Sequence, residues 1–205
     1  MYSPFLLDVA LKHSSAELDN IRTQLLEIIE GKYEFSKIEI TPESIDFKDN
    51  FPFQKVRITN DQIKVSYVIE NGDSNIERMK DLFQLLYKVL KCKYFSIEKL
   101  ELVFIMKLKD PKKLVNLSLE SEDIDLLDLK CSLSNNTSLR FMVNKTAGKF
   151  GSINLNSTAV EIPTAEVSEK IDESYELLIH TFNRIVSNRE EILTFVDFSE
   201  EVANE

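Results

Sequence analysis

The chain has 205 residues, 43% apolar and 29% charged, which is the composition of a folded globular protein, not of a disordered or fibrous one. Its formal charge of −10 works against nucleic acid as a partner, because such affinity rests on cations that displace counterions from phosphate. No stretch approaches the ~20 continuous apolar residues of a membrane-spanning helix, so no membrane partner is expected either.

The amino terminus lacks the basic region of a signal peptide, and its apolar run is broken by Asp8, so a cytoplasmic location is expected. Phe5 to Leu11 reads as a strand, with an earlier helical turn as the alternative. Residues 14–30 read as a helix opened by a capping box, Ser14 to Glu17, with Leu18, Ile21, Leu25, Ile28 and Ile29 at helical spacing and Gly31 at its end. From Tyr33 to Glu70 the period becomes two, punctuated at Pro42 and Asn60-Asp61, which predicts three or four antiparallel strands joined by tight turns.

A second capping box, Ser74 with Glu77, opens a helix at about 74–93 whose apolar stripe includes Met79, Leu82, Phe83, Leu86 and Leu90. Lys99 to Leu108 is the most apolar strand candidate. Its centre is apolar on both faces, which predicts a central strand covered on both sides. After Asp110-Pro111, strands are expected at 126–134, 138–144 and 150–162, with Pro163 ending the sheet. The longest helix, about 165–189, carries Val167, Ile171, Tyr175, Leu178 and Phe182 on one stripe. Ile192 to Phe198 is too apolar to dangle and should dock back; 199–205 should be a flexible tail.

The fold class expected is therefore α+β: an antiparallel, sheet-rich body with two long amphipathic helices and a shorter N-terminal one. Two sheet-plus-helix units, from about Phe35 to Tyr94 and from about Leu114 to Arg189, echo one another. The organisation expected is a single compact domain over 1–205, with half-domains at 1–109 and 110–198 as the alternative division.

Chemistry leaves few marks. The four glycines do not form a phosphate-binding loop, and His13 and His180 stand apart from any metal-ligand spacing. Both histidines read as ordinary packing residues. Cys92 and Cys131, without a CxxC, read as small buried thiols, with a single disulfide between them left open. No cofactor is expected. Carboxylates offer the one catalytic option: Glu120, Glu122, Asp123, Asp125 and Asp128 crowd together, and Asp128-Leu129-Lys130 has the D-x-K form of metal-dependent nuclease cores. On that reading Asp123, Asp125, Asp128 and Lys130 would be catalytic, and Glu122, Asp123 and Asp125 would hold the metal.

The preferred reading is a non-enzymatic cytoplasmic protein that binds another protein, of interaction, inhibitor or immunity type, with self-association open. A sheet face left uncovered would supply an apolar surface for it. Phe51 and Phe53, two rings flanking Pro52, are the candidate anchor for a partner. The alternatives are a divalent-metal-dependent nuclease or phosphodiesterase and an acidic oligomeric holdase-type chaperone.

Overall fold

Leu7, Val9 and Leu11 are buried and alternate with more exposed neighbours, the period of a strand whose one face meets a core. They form β1 (Leu6–His13), the first of ten strands in one continuous sheet. The computed structural model describes residues 4–14, 17–69, 76–108, 126–134, 136–144, 150–187 and 193–195. Helix α1 (Leu18–Glu30) follows β1 and leads to a four-strand meander: β2 (Lys37–Ile40), β3 (Ser44–Asn50), β4 (Phe53–Thr59) and β5 (Gln62–Val68). Helix α2 (Glu77–Leu90) then returns the chain to β6 (Tyr94–Leu108). A second meander comprises β7 (Leu126–Ser134), β8 (Thr137–Asn144) and β9 (Phe150–Pro163). A 3-10 turn (Thr164–Glu166), helix α3 (Val167–Ser187) and the short β10 (Leu193–Phe195) complete the described chain.

The strand order is β2-β3-β4-β5-β1-β6-β9-β8-β7, with β10 paired to β6 beyond the end of β1, and every pairing is antiparallel. The topology repeats one plan. In each half an opening strand sits at the sheet centre, a meander starts at the outer edge and works inward to pair with it, and a helix follows. The two plans meet tail to tail at the antiparallel pair β1–β6. The sheet thus groups β6 with β7–β9, and the 109–113 loop that sequence marks as a boundary lies outside the described residues.

The three helices of the described residues pack on one face. Leu25 and Ile29 of α1, Leu82, Phe83 and Leu86 of α2, and Ile171, Leu178 and Phe182 of α3 share a single core with Val9, Val65, Leu102 and Leu155 of the sheet. Phe104 of β6 stacks on Phe182 of α3 with ring centroids 3.5 Å apart. Lys80 of α2 bridges to Asp172 of α3 at 2.9 Å, and Lys32 after α1 bridges to Asp81 of α2 at 2.9 Å. The Lys80 ammonium is held charged above its ordinary range, first by a hydrogen bond to Glu77 and then by Asp172.

Two local expectations give way. The Ser14–Glu17 capping box does not form, because α1 begins at Leu18 with Glu17, not Ser14, at its N-cap position. The free Leu18 N–H donates instead to Asn60 Oδ1 at 3.1 Å, from the β4–β5 turn. Asn60→Ala should therefore lower stability by about 1 kcal/mol. An unchanged urea midpoint would show that this long-range cap contributes nothing. The Ser74 of the second expected box lies outside the described residues.

The second correction concerns β6. It is central, as expected, but the described helices cover only one of its faces. Its centre is apolar on both faces, with Leu102 and Phe104 toward the helices and Val103 and Ile105 away from them; ahead of it Phe95 and Ile97 are buried, then Leu100, with register shifts against β9 between 95 and 100. A bulge inserts an extra residue, so the core-facing positions switch from odd to even.

Candidate functional site

With the described helices gathered on one side, the opposite face of the sheet carries no helix among the described residues. Register shows what lies on it. Asp46 stands opposite Arg57, Arg57 opposite Lys64, Lys64 opposite Ala10, and Ala10 opposite Lys99. A neighbouring row runs through Lys48, Lys55, Ser66, Asp8, Glu101, Asn156 and Ser138. On this face, among the described residues, cations outnumber carboxylates, although the chain as a whole is acidic.

The charges interleave. Asp46, only 6% exposed, lies 3.3 Å from Lys55 Nζ and 3.7 Å from Arg57 Nε. Glu39 of β2 accepts from Lys37 and Lys48, and those hydrogen bonds hold its carboxyl down to about 2. Asp8 accepts from Ser66 Oγ at 2.6 Å and pairs with Lys99, which also meets Glu101 at 2.5 Å. Burial opposes charge on Lys99, but Glu101 and Asp8 outweigh it and hold the ammonium above its ordinary range. Lys64 is exposed and has no ion pair with a described residue. Lys55, Arg57, Lys64 and Ser66 line a shallow basin of about 690 Å³ on this face, rimmed by Glu43 and Asp61.

A narrow apolar band crosses the middle. Val68, Leu6 and Val103 stand side by side on β5, β1 and β6, each half-buried, and the same row continues into Asn154, Arg140 and Lys130. Among the described residues, the helix-free face is thus a charged surface with an apolar seam, where sequence leads to the expectation of an apolar surface. The reason is alternation: outside that band the strands turn most of their apolar residues to the helix side and leave Asp8, Lys64, Ser66 and Glu101 for the other.

The expected aromatic anchor is split. Phe51 is 57% exposed in the β3–β4 connection, next to the cis Phe51–Pro52 peptide bond. Phe53 is 1% exposed and packs edge-on against Tyr33 and Tyr67, with centroids 5.3 and 5.2 Å away. As the first residue of β4 it faces the helix side, so it belongs to the core and cannot meet a partner on the surface.

The histidines diverge in the same way. His180 is exposed on α3, whereas His13 is 4% exposed at the end of β1, where the fold brings it to Cys92. His13 Nδ1 lies 2.8 Å from the Ser14 carbonyl and 3.6 Å from Cys92 Sγ. A carbonyl can only accept, so Nδ1 carries the proton in this arrangement and is not a base for the thiol. Cys92 itself is a free, buried cysteine. The Cys–His contact is a packing arrangement, invisible in a sequence where the two lie far apart.

Burial lowers the His13 pKa from its ordinary 6.5, against the opposing effects of the Ser14 carbonyl and Asp61. The folded chain therefore binds a proton at this site less readily than the unfolded chain does. Stability should be fully present above pH 6.5 and decline as the pH falls from 6.5 toward the lower folded value. Urea midpoints at pH 7.5, 6.5 and 5.5 check this. His13→Gln should flatten that segment of the profile, and an equal slope in the variant would assign the effect elsewhere.

Of the carboxylate set, Glu120, Glu122, Asp123 and Asp125 lie outside the described residues. Asp128 and Lys130 fall in β7, where the backbone pairs Asp128 with Met142 and Lys130 with Arg140, and Lys130 is exposed. Among the described residues, no group of three or more His, Cys, Asp or Glu side chains is placed to hold a metal ion. No helix among them is long and apolar enough to cross a membrane. No protein-family model and no curated protein matches the chain.

Proposed function

We propose that the chain is a non-enzymatic cytoplasmic binding protein whose partner is another protein and whose working surface is the helix-free face of the sheet. The observation that carries this reading is the seam of Val68, Leu6 and Val103 set within interleaved charges. A small apolar centre with a polar rim is the anatomy of a protein–protein interface. Interleaving also bears on the kind of partner. Carboxylates at Asp8, Asp46 and Glu101 stand among the lysines and would repel a phosphate backbone, whereas a protein surface of mixed charge pairs with both signs.

The experiment is affinity capture from the native host, with purified chain as bait and the retained protein then measured directly for binding. Lys64→Glu and Val103→Lys should each weaken binding at least ~10-fold, because one reverses a rim charge and the other plants an ammonium in the seam. Glu176→Lys, on an exposed position of α3, should leave it unchanged. Equal binding by all three variants would remove the sheet face from the function. Thermal melts of each variant separate lost contact from lost fold.

A further inference from the structure

Away from the sheet face, at the end of the central strand pair, Lys12, Lys91, Lys93, Tyr94 and Glu161 surround a pocket of about 580 Å³ floored by His13 and Phe95. That volume lies in the range of small-molecule sites. Lys91 and Lys93 are exposed and make no ion pair with a described residue; Lys12 reaches Glu98 only at 3.8 Å. The Tyr94 ring is 58% exposed beside them, over a floor in which Phe95 is 1% exposed.

The connection that carries these side chains is fixed from several directions. Lys91 N–H donates to the Tyr87 carbonyl, Thr164 Oγ1 donates to the Cys92 carbonyl at 2.5 Å, and Thr164 N–H donates to the Lys93 carbonyl at 3.1 Å. Two of the three non-glycine residues with positive φ in the described chain, Lys91 at 52° and Glu161 at 53°, both line this pocket. Non-glycine residues held in that conformation cost energy and concentrate at ligand sites. A left-handed residue after a helix is usually glycine or asparagine; here it is a lysine, and it lines the pocket.

We propose that this pocket binds a small phosphorylated ligand, with Lys12, Lys91 and Lys93 taking the phosphate and Tyr94 packing against the body of the molecule. Three ammonium groups, against Glu161 in the lining and Glu98 beside Lys12, leave the site net cationic in a chain of net charge −10, and charge complementarity therefore selects an anion. The inference does not depend on the protein partner of the sheet face.

Thermal unfolding with inorganic phosphate, adenosine monophosphate and sodium chloride at matched ionic strength tests it. At about ten times Kd, adenosine monophosphate should raise Tm by ~3 °C or more over the chloride control. Phosphate alone should give a smaller rise. Lys91→Gln/Lys93→Gln should abolish both rises, and Tyr94→Ala should reduce the nucleotide's shift to that of phosphate. Lys32→Gln, exposed just after α1 and outside the pocket lining, should change neither. Amide NMR shifts on titration with adenosine monophosphate should concentrate at Tyr94, Ser96 and Lys12, so a poorly folded variant does not leave the question to melts alone. The proposal is overturned by no rise above chloride in the natural chain, by an undiminished rise in the double-lysine variant, or by NMR shifts elsewhere. Equal rises from phosphate and nucleotide would remove Tyr94 from the site.

Discussion

Phe53→Ala should destabilise the protein by about 3–5 kcal/mol, whereas Phe51→Ala should stay within about 0.5 kcal/mol of the natural chain. The two rings flank one proline, yet the first is 57% exposed and the second 1% exposed. Removing Phe53 empties the space between Tyr33, Phe35 and Tyr67, whose rings lie 5.3, 6.1 and 5.2 Å away, and that cluster joins the α1–β2 connection to β4 and β5. The cost combines lost apolar burial with an unfilled cavity. Removing Phe51 exposes nothing new. Urea unfolding of the two variants measures the contrast, and similar midpoints would mean that the β3–β4 hairpin is not seated as described.

A comparable loss is expected where α3 meets the sheet. Phe104→Ala and Phe182→Ala should each cost about 3–5 kcal/mol, since both rings are buried to 1% or less. They face one another with an interplanar angle of 6° and a centroid separation of 3.5 Å. Once one ring is gone, the second loses part of its packing partner, so the double variant should fall short of the summed single losses by ~1 kcal/mol. Strict additivity in a double-mutant cycle would show that the rings do not depend on one another. The pair matters for the architecture because it fixes the long helix to the helix-covered face and leaves the opposite face clear.

Much of this architecture is legible in the chain because alternation and helical spacing are local signals. Ile63, Val65 and Tyr67 announce β5, and Val167, Ile171, Leu178 and Phe182 announce the stripe of α3. What sequence hides is long-range. Nothing near Leu18 indicates that Asn60 will cap its helix, and nothing near His13 points to Cys92. The bulge near Lys99 shifts the phase of β6 without any proline or glycine to mark it.

The candidate surface is hidden for the same reason. Asp8, Ser66, Lys64 and Lys99 each look like isolated solvated residues, and only the pairing of β5, β1 and β6 sets them in adjacent rows. The Lys91–Lys93 group reads in sequence as cations favouring a helix carboxyl end. Its role as pocket lining depends on β1 and β9 closing around it.

The most direct test of the sheet face as binding surface is site-specific photo-cross-linking in native host extract. A photoreactive residue at Lys64 or Lys130 should yield one and the same protein adduct, competed away by excess unmodified chain, while the same group at Glu176 on α3 should not. Adducts shared by all three positions, or formed from α3 alone, would contradict the assignment.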